Sequence, residues 1–443
     1  MPQGVLKPSL PALTPAKTPE VAARTEDQKP RAGSKGLTGA SSRLRGSFGR
    51  LRTALRSGNL REIKEANDAL GAELTPACPE ETNGAPLYLK AFEKVTQIYR
   101  EASLAEALAE VKVASRKRPL QLTADEQVLL RGYVEKNREA IELLKEASHR
   151  PNNVFLPGVE EGLDLSSARL QLITGFCGAS RLLDVAANVS EGPERTELAL
   201  AAGRLAAASS SDPSLVSQLV SRISQEIGVS ILQETLASFP EESLLEICSS
   251  PGLDEIHASF ERALYGEAYR ATAELLKDSP RLNGKDLQSL KHPEAALDLA
   301  YFADTVGECA ALLQRPYFEV RDQLQSLQME RVTGAPAYAE LSKALLPGII
   351  AAASYQAVNE GQAGTVQLAA ALNLYQQRNG AYPSSLEDLR GVLPVLPIDP
   401  CSGKSFLYRR EGAGFVVYSV GVNGMDDGGD AKEVRDVVFR PRR

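Results

Sequence analysis

Over most of residues 60–345 the apolar positions recur at spacings of three and four, the period of helices that bury one face. The stretch "LTADEQVLLRGYVEKNREAIELLKEAS" opens with Thr123 and Glu126, a capping box in which each side chain satisfies a free backbone amide. Leu130, Tyr133, Val134, Ile141 and Leu144 then form one apolar stripe. In "SDPSLVSQLVSRISQEIGVSILQETLA", Asp212 reads as the N-cap and Pro213 as the first helical residue. Val216, Leu219, Ile223, Ile227 and Ile231 make a second stripe. "NVSEGPERTEL" and "SFPEESL" read as turns. Helices of about 20 residues joined by short loops predict antiparallel packing in a bundle or solenoid. No fixed-period repeat supports a tetratricopeptide-type array.

Near the C-terminus the period changes. "GTVQLAAALNLYQQRNG" is a helix with Leu368, Leu372 and Tyr375 on one face, stopped at Asn379-Gly380. Ser384 and Glu387 form a second capping box, starting the short helix "SLEDL". "LPVLPIDP" carries too many prolines for a central strand and reads as an extended crossing loop. Three strands follow over Lys404–Arg410, Gly414–Val420 and Arg435–Arg440, the first two joined through Glu411–Ala413 as a hairpin. The expected fold is mostly α: a helical body plus a small C-terminal α+β domain, a long helix packed on a three-stranded antiparallel sheet.

Composition adds domain limits. Residues 1–40 are rich in Pro, Gly, Ser and Lys without hydrophobic periodicity, and are expected to be disordered. In "SRLRGSFGRLRTALRSG", Leu44, Phe48, Leu51 and Leu55 alternate with arginines. Such a helix lies on an anionic membrane surface or packs with its basic face in water, and Gly46 and Gly49 favour packing. The division is therefore a basic tail over 1–57, a helical domain over 58–343 and the α+β domain over 344–443. The first fifty residues hold nine basic side chains against three acidic ones and carry +6, leaving −13 on the rest of a chain whose total is −7. An acidic body argues against a nucleic-acid partner. "ALLPGIIAAASY" is 12 residues long, too short for a membrane span, which takes about 20. No signal peptide is visible, so the sequence leaves the compartment undetermined.

Catalytic chemistry has little to stand on. Cys78, Cys177, Cys248, Cys309 and Cys401 are isolated, which excludes a CxxC zinc site and argues against a disulfide framework. The three histidines, His149, His257 and His292, are far apart and form no HExxH pair. No phosphate-binding glycine loop and no G-x-S-x-G elbow occurs. The expectation is a non-enzyme, with a hydrolase-like site of carboxylates between helices as the alternative.

Two resemblances add to this reading. "NGAPLYLKAF" (83–92), "NREAIELLKEA" (137–147), "DPSLVSQLV" (212–220) and "RPYFEV" (315–320) together resemble an uncharacterised family of helical bacterial envelope proteins. That resemblance spans roughly residues 60–443. It implies an all-helical body behind an N-terminal membrane anchor, in whose place this chain has the basic segment 41–57. "YQQRNGAYPSSLEDL", "LPIDPCSGKSFLYRR", "YSVGVNGMDDGGD" and a final "DVVF" resemble the globular domain of the type II secretion major pseudopilin, over about residues 345–440. Neither a prepilin cleavage motif nor the long N-terminal apolar helix of a fibre subunit is present, so a borrowed pseudopilin-like domain is expected.

The resemblance implies calcium in the loop between the last two strands, here "SVGVNGMDDGGDAKEVRD". Asn423, Asp426, Asp427, Asp430 and Asp436 supply the side-chain oxygens that calcium takes, and the glycines allow tight folding. An ordinary turn built on Asn-Gly and Asp-Gly is the competing reading, and the spacing is not that of an EF-hand. Together these readings point to a secretion-associated interaction protein of the envelope with protein partners and a calcium-stabilised tail.

Overall fold

A computed structural model describes residues 34–100, 122–155, 165–249, 253–277, 293–430 and 436–442. The described chain is mostly helical, with one small antiparallel sheet near the C-terminus. Helices α1 (Ser34–Ser57), α2 (Leu60–Leu74) and α3 (Ala85–Arg100) come first. Next are α4 (Ala124–Lys136), α5 (Arg138–Ser148), α6 (Leu165–Val189), α7 (Gly192–Ser209) and α8 (Leu215–Thr235). Helices α9 (Glu241–Ser249), α10 (Leu253–Lys277), α11 (Pro293–Leu312), α12 (Tyr317–Gln328) and α13 (Glu340–Asn379) complete the helical part. The strands are β1 (Leu407–Glu411), β2 (Gly414–Ser419) and β3 (Val437–Phe439).

Local signals explain most of the element ends. Thr123 and Glu126 form the expected capping box at α4. The stripe that follows is buried at Leu130, Tyr133, Ile141 and Leu144, but the helix breaks at Asn137. The buried Asn137 amide donates to the Tyr133 carbonyl (2.9 Å) and competes with the helical ladder. Helix α8 begins two residues later than its Asp-Pro signal implies. Ser214 is the cap, accepting from the Ser217 amide at 3.0 Å, while Asp212 takes the Ser217 hydroxyl at 2.6 Å. The second capping box is likewise shifted by one residue: Ser385 pairs with Asp388 and starts a 3₁₀ turn over Leu386–Gly391.

Two apolar cores are built on one shared helix. The first joins α3 to α9, the second half of α13 and the sheet, through residues such as Phe176, Leu205, Leu372, Phe415 and Phe439. The second joins α1, α2, α10, α11 and α12 to the first half of α13, through Leu51, Ile63, Phe302, Val320 and Leu346. Leu44, Phe48, Leu51 and Leu55 of α1 face this second core, with Phe48 stacked on Tyr265 at 4.2 Å. The α1 arginines meet acids of the body: Arg45 pairs with Glu261 (2.6 Å) and Arg52 with Asp304 (2.9 Å). Among the described residues no helix is long and apolar enough to cross a membrane.

The sheet has the order β1-β2-β3, all antiparallel, with Tyr408 opposite Val417 and Val417 opposite Phe439. These strands fall in the predicted segments; β2 and β3 are shorter, while β1 starts three residues later and runs one further, through Glu411, which the sequence placed in the turn. Contact with α13 is close: a Cβ on Gly364 would come 2.5 Å from the Phe406 ring, so only glycine fits there. The same helix ends at Gly380, whose φ of 78° is the left-handed conformation expected of the Asn-Gly stop.

Helix α13 runs unbroken across residues 343 and 344, and its 40 residues reach about 60 Å. Its N-cap position, Ala339, makes no side-chain bond. The buried Asp298 of α11 does that work from the neighbouring helix. It accepts the Leu341 amide (2.6 Å), the Ser342 amide (3.1 Å) and the Ser342 hydroxyl (2.5 Å). An Asp298→Ala variant leaves these buried donors without an acceptor. It is expected to lose about 2–3 kcal/mol in chemical denaturation, whereas the exposed i,i+4 acid Glu65→Ala is expected to change stability by less than about 0.5 kcal/mol.

Candidate functional site at the aspartate-rich loop

Strand β2 ends at Ser419, which together with the next residue, Val420, is buried and fastened by the loop preceding β1. Asp399, 1% exposed, accepts the Ser419 hydroxyl (2.6 Å) and the Cys401 amide (3.0 Å) through Oδ1. Its Oδ2 accepts the Ser402 hydroxyl (2.7 Å) and the Val420 amide (3.3 Å). One carboxylate thus joins the crossing loop to the end of the central strand. A buried charge tolerated at this depth needs such a set of donors. Next to it, burial pushes the Cys401 thiol up to about 12, with the Asp399 charge adding to the rise.

Beyond Val420 the chain makes the glycine- and aspartate-rich loop. Gly421, Gly424, Gly428 and Gly429 all have φ between 64° and 78°, a region costly for other residues. The Asn423 side chain accepts the Met425 amide (3.0 Å) and donates to Asp427 Oδ2 (2.8 Å). Asp426 Oδ1 accepts the Tyr418 hydroxyl (3.0 Å) and the Gly428 amide (2.9 Å). Asp436, 3% exposed, gathers the loop from its far end: Oδ2 accepts the Gly429 (2.7 Å) and Asp430 (3.2 Å) amides, and Oδ1 the Asp427 amide (3.4 Å). Its own amide donates back to the Asp430 carbonyl (3.1 Å). Burial raises the Asp436 carboxyl above the usual carboxylate range, opposed by the three loop amides and assisted by Asp427.

The five residues expected to ligate calcium lie in one folded-back loop, with Asp436 buried, Asn423, Asp427 and Asp430 half-buried and Asp426 exposed. Asn423, Asp426, Asp427 and Asp436 take part in hydrogen bonds within it, and Asp430 joins through its backbone. Among the described residues no three His, Cys, Asp or Glu side chains are grouped as a metal ion requires. Residues 431–435, part of the same loop, lie outside the described ones. Chemically, the arrangement as it stands is a carboxylate-centred clamp: aspartates neutralise turned-in amides and hold β2 to β3.

Sequence reasoning picked out the loop but missed Asp399, whose carboxylate accepts four hydrogen bonds. It lies in the segment read as an extended crossing loop, and nothing local announces that Ser419, twenty residues later, returns to it. Arg321 of α12 was missed too. Its guanidinium lies against Gly424, where a Cβ would come within 2.9 Å of it, so a cation from the helical body adjoins the acidic loop. No protein-family model, curated protein or solved structure matches the chain.

Replacing Asp436 by Ala removes the acceptor of three loop amides. Amide hydrogen exchange at Gly429 and Asp430 is expected to accelerate at least about tenfold, with a loss of about 2 kcal/mol in stability. Burial also sets thiol reactivity. Cys248 is pushed up to about 11 and Cys309 and Cys401 to about 12, so all three are protonated and shielded at pH 8. Titration of the folded protein with a disulfide reagent at that pH is expected to label only the two partly exposed thiols, Cys78 and Cys177, until denaturant is added.

Proposed function

We propose that the chain is a non-catalytic interaction protein of the bacterial envelope, associated with secretion, whose helical body carries a pseudopilin-like C-terminal module for recognition. One observation carries this reading. A sheet of order β1-β2-β3 lies on the second half of a long helix, and the aspartate-rich loop between β2 and β3 folds back on Asp436. That layout is what the pseudopilin resemblance implies. Fibre subunits of that kind pack through the first half of their helix. Here the first half of α13 contributes to a core with α10, α11 and α12 of the same chain, which suits a borrowed module.

Buried carboxylates of the helical body are engaged by neighbouring groups, Glu360 by the Gln356 amide (2.7 Å). Glu261 takes Arg45, Gln314 and Tyr265; Asp298 caps α13; Asp212 holds Ser217. These partnerships give each of these acids a structural role.

Calcium is the proposed ligand of the loop, and donor chemistry alone supports it: Asn423, Asp426, Asp427, Asp430 and Asp436 are hard oxygen donors on one glycine-rich stretch. Binding has to exchange existing hydrogen bonds for the ion, so the site is expected to be weak. Millimolar calcium, but not magnesium, is expected to raise the melting temperature by a few degrees, with the effect abolished in Asp426→Ala/Asp427→Ala. No calcium shift removes the ligand from the proposal. The location is tested separately by fractionating native cells. Recovery with the envelope supports the reading, and recovery only with ribosome-free cytosol sinks it.

A further inference from the structure

The first half of helix α8 is largely inside out. Where it crosses α6 and α7 its inward face is mostly small and polar: Ser221 donates to the Ala206 carbonyl (2.7 Å), Ser180 of α6 donates to Ser224 (2.7 Å), and Gly228 meets the α7 backbone near Gly203. Val220 is the large apolar residue buried among them, and from Val229 onward the helix buries Val229, Ile231 and Leu232 in the ordinary way. Small residues let the three helices approach closely, and the hydroxyls find partners there. The larger apolar stripe is left outside, with Val216 48%, Leu219 43% and Ile223 47% exposed. An ordinary surface helix shows the reverse distribution.

The first half of α13 continues this surface. Leu345 and Tyr355 are exposed, and beside them the small residues Ala344, Gly348 and Ala351 come to the surface with open space where a Gly348 side chain would stand, a hollow by contrast with their larger neighbours. The Arg222 guanidinium lies over the Tyr355 ring at 5.1 Å, which sets the stripe of α8 beside the hollow of α13. The Phe239 carbonyl, just past α8, accepts from Gln377 further along α13, so the two helices run in the same direction. A ridge of large side chains therefore adjoins a trough of small ones.

We propose that this face is a self-association surface, on which a second copy of the chain packs about a two-fold axis. Three observations favour that occupant. Rotation about a two-fold places the ridge of each copy over the trough of the other, the reciprocal match an isologous interface needs. The exposed apolar area, on the order of 400 Å², is about half of the ~800 Å² per partner in a stable interface, and half or slightly more is the usual apolar share. Arg222 and Glu226 at the border pair with each other (3.1 Å), so they bring no net charge to select an acidic peptide, a basic peptide or an anionic lipid.

Sedimentation velocity on the full chain, with a chelator present so that the loop plays no part, tests this. At about 100 μM the wild type is expected to sediment as a dimer, since a standard-size interface holds at that concentration. Leu219→Asp/Ile223→Asp is expected to give monomers with unchanged helical circular dichroism. Gly348→Leu fills the trough in open space and favours the helix, so it is expected to weaken the dimer at least about tenfold while keeping or raising the melting temperature. A monomeric wild type overturns the proposal, as does a dimer indifferent to both variants, and so does a wild type that is monomeric alone and associates only with another protein.

Discussion

Residues 368–374 of α13 are buried without interruption, seven in a row, so this part of the helix has no solvent side. A helix apolar around its whole circumference has to be enclosed. Much of the fold is the means of enclosing it. The sheet lies along one side through Phe415, Val417 and Phe439, and α9 and the end of α8 close others. Earlier along the same helix, α10, α11 and α12 take over, and α1 and α2 pack on them. Because both cores contain α13, neither can be removed without exposing part of it. The C-terminal strands are thus a wall of the larger core, and their small size is no obstacle to stability.

Enclosure creates a second requirement, since polar groups trapped by it need partners. The structure meets this with carboxylates reaching across the sequence. Asp298 caps α13 from α11, Glu261 of α10 gathers Arg45, Gln314 and Tyr265, and Asp399 ties the crossing loop to β2. Asp436 does the same for the glycine-rich loop. Each acid accepts several hydrogen bonds, which offsets the desolvation of its charge. Removing any one of them strands donors on another element, so these acids specify which elements meet as well as how firmly.

The same economy of space explains α8. Close approach to α6 and α7 calls for Ser and Gly on the inner face, and in the first half of the helix this leaves Val216, Leu219 and Ile223 outside. The surface that results, a ridge beside a trough on parallel helices, is a consequence of interior packing. The association proposed for it and the recognition role proposed for the C-terminal module concern opposite halves of α13, and neither proposal depends on the other.

By itself the chain's pattern determined the helical class, the antiparallel hairpin and third strand, the stop at Gly380 and the position of the aspartate-rich loop. All of these rest on interactions within a few residues: periodicity, caps, turn chemistry and the positive φ of glycine. Only the tertiary structure decided which face of α8 is inside, that α1 packs its Leu44–Leu55 stripe into the body, and that α13 belongs to two cores. It also decided that Asp298 and Asp399 hold the ends of α13 and β2. The physical reason is common to these cases: burial and hydrogen-bond partnership are settled between elements tens to hundreds of residues apart, as with Arg45 and Glu261, and no local pattern records which surfaces meet.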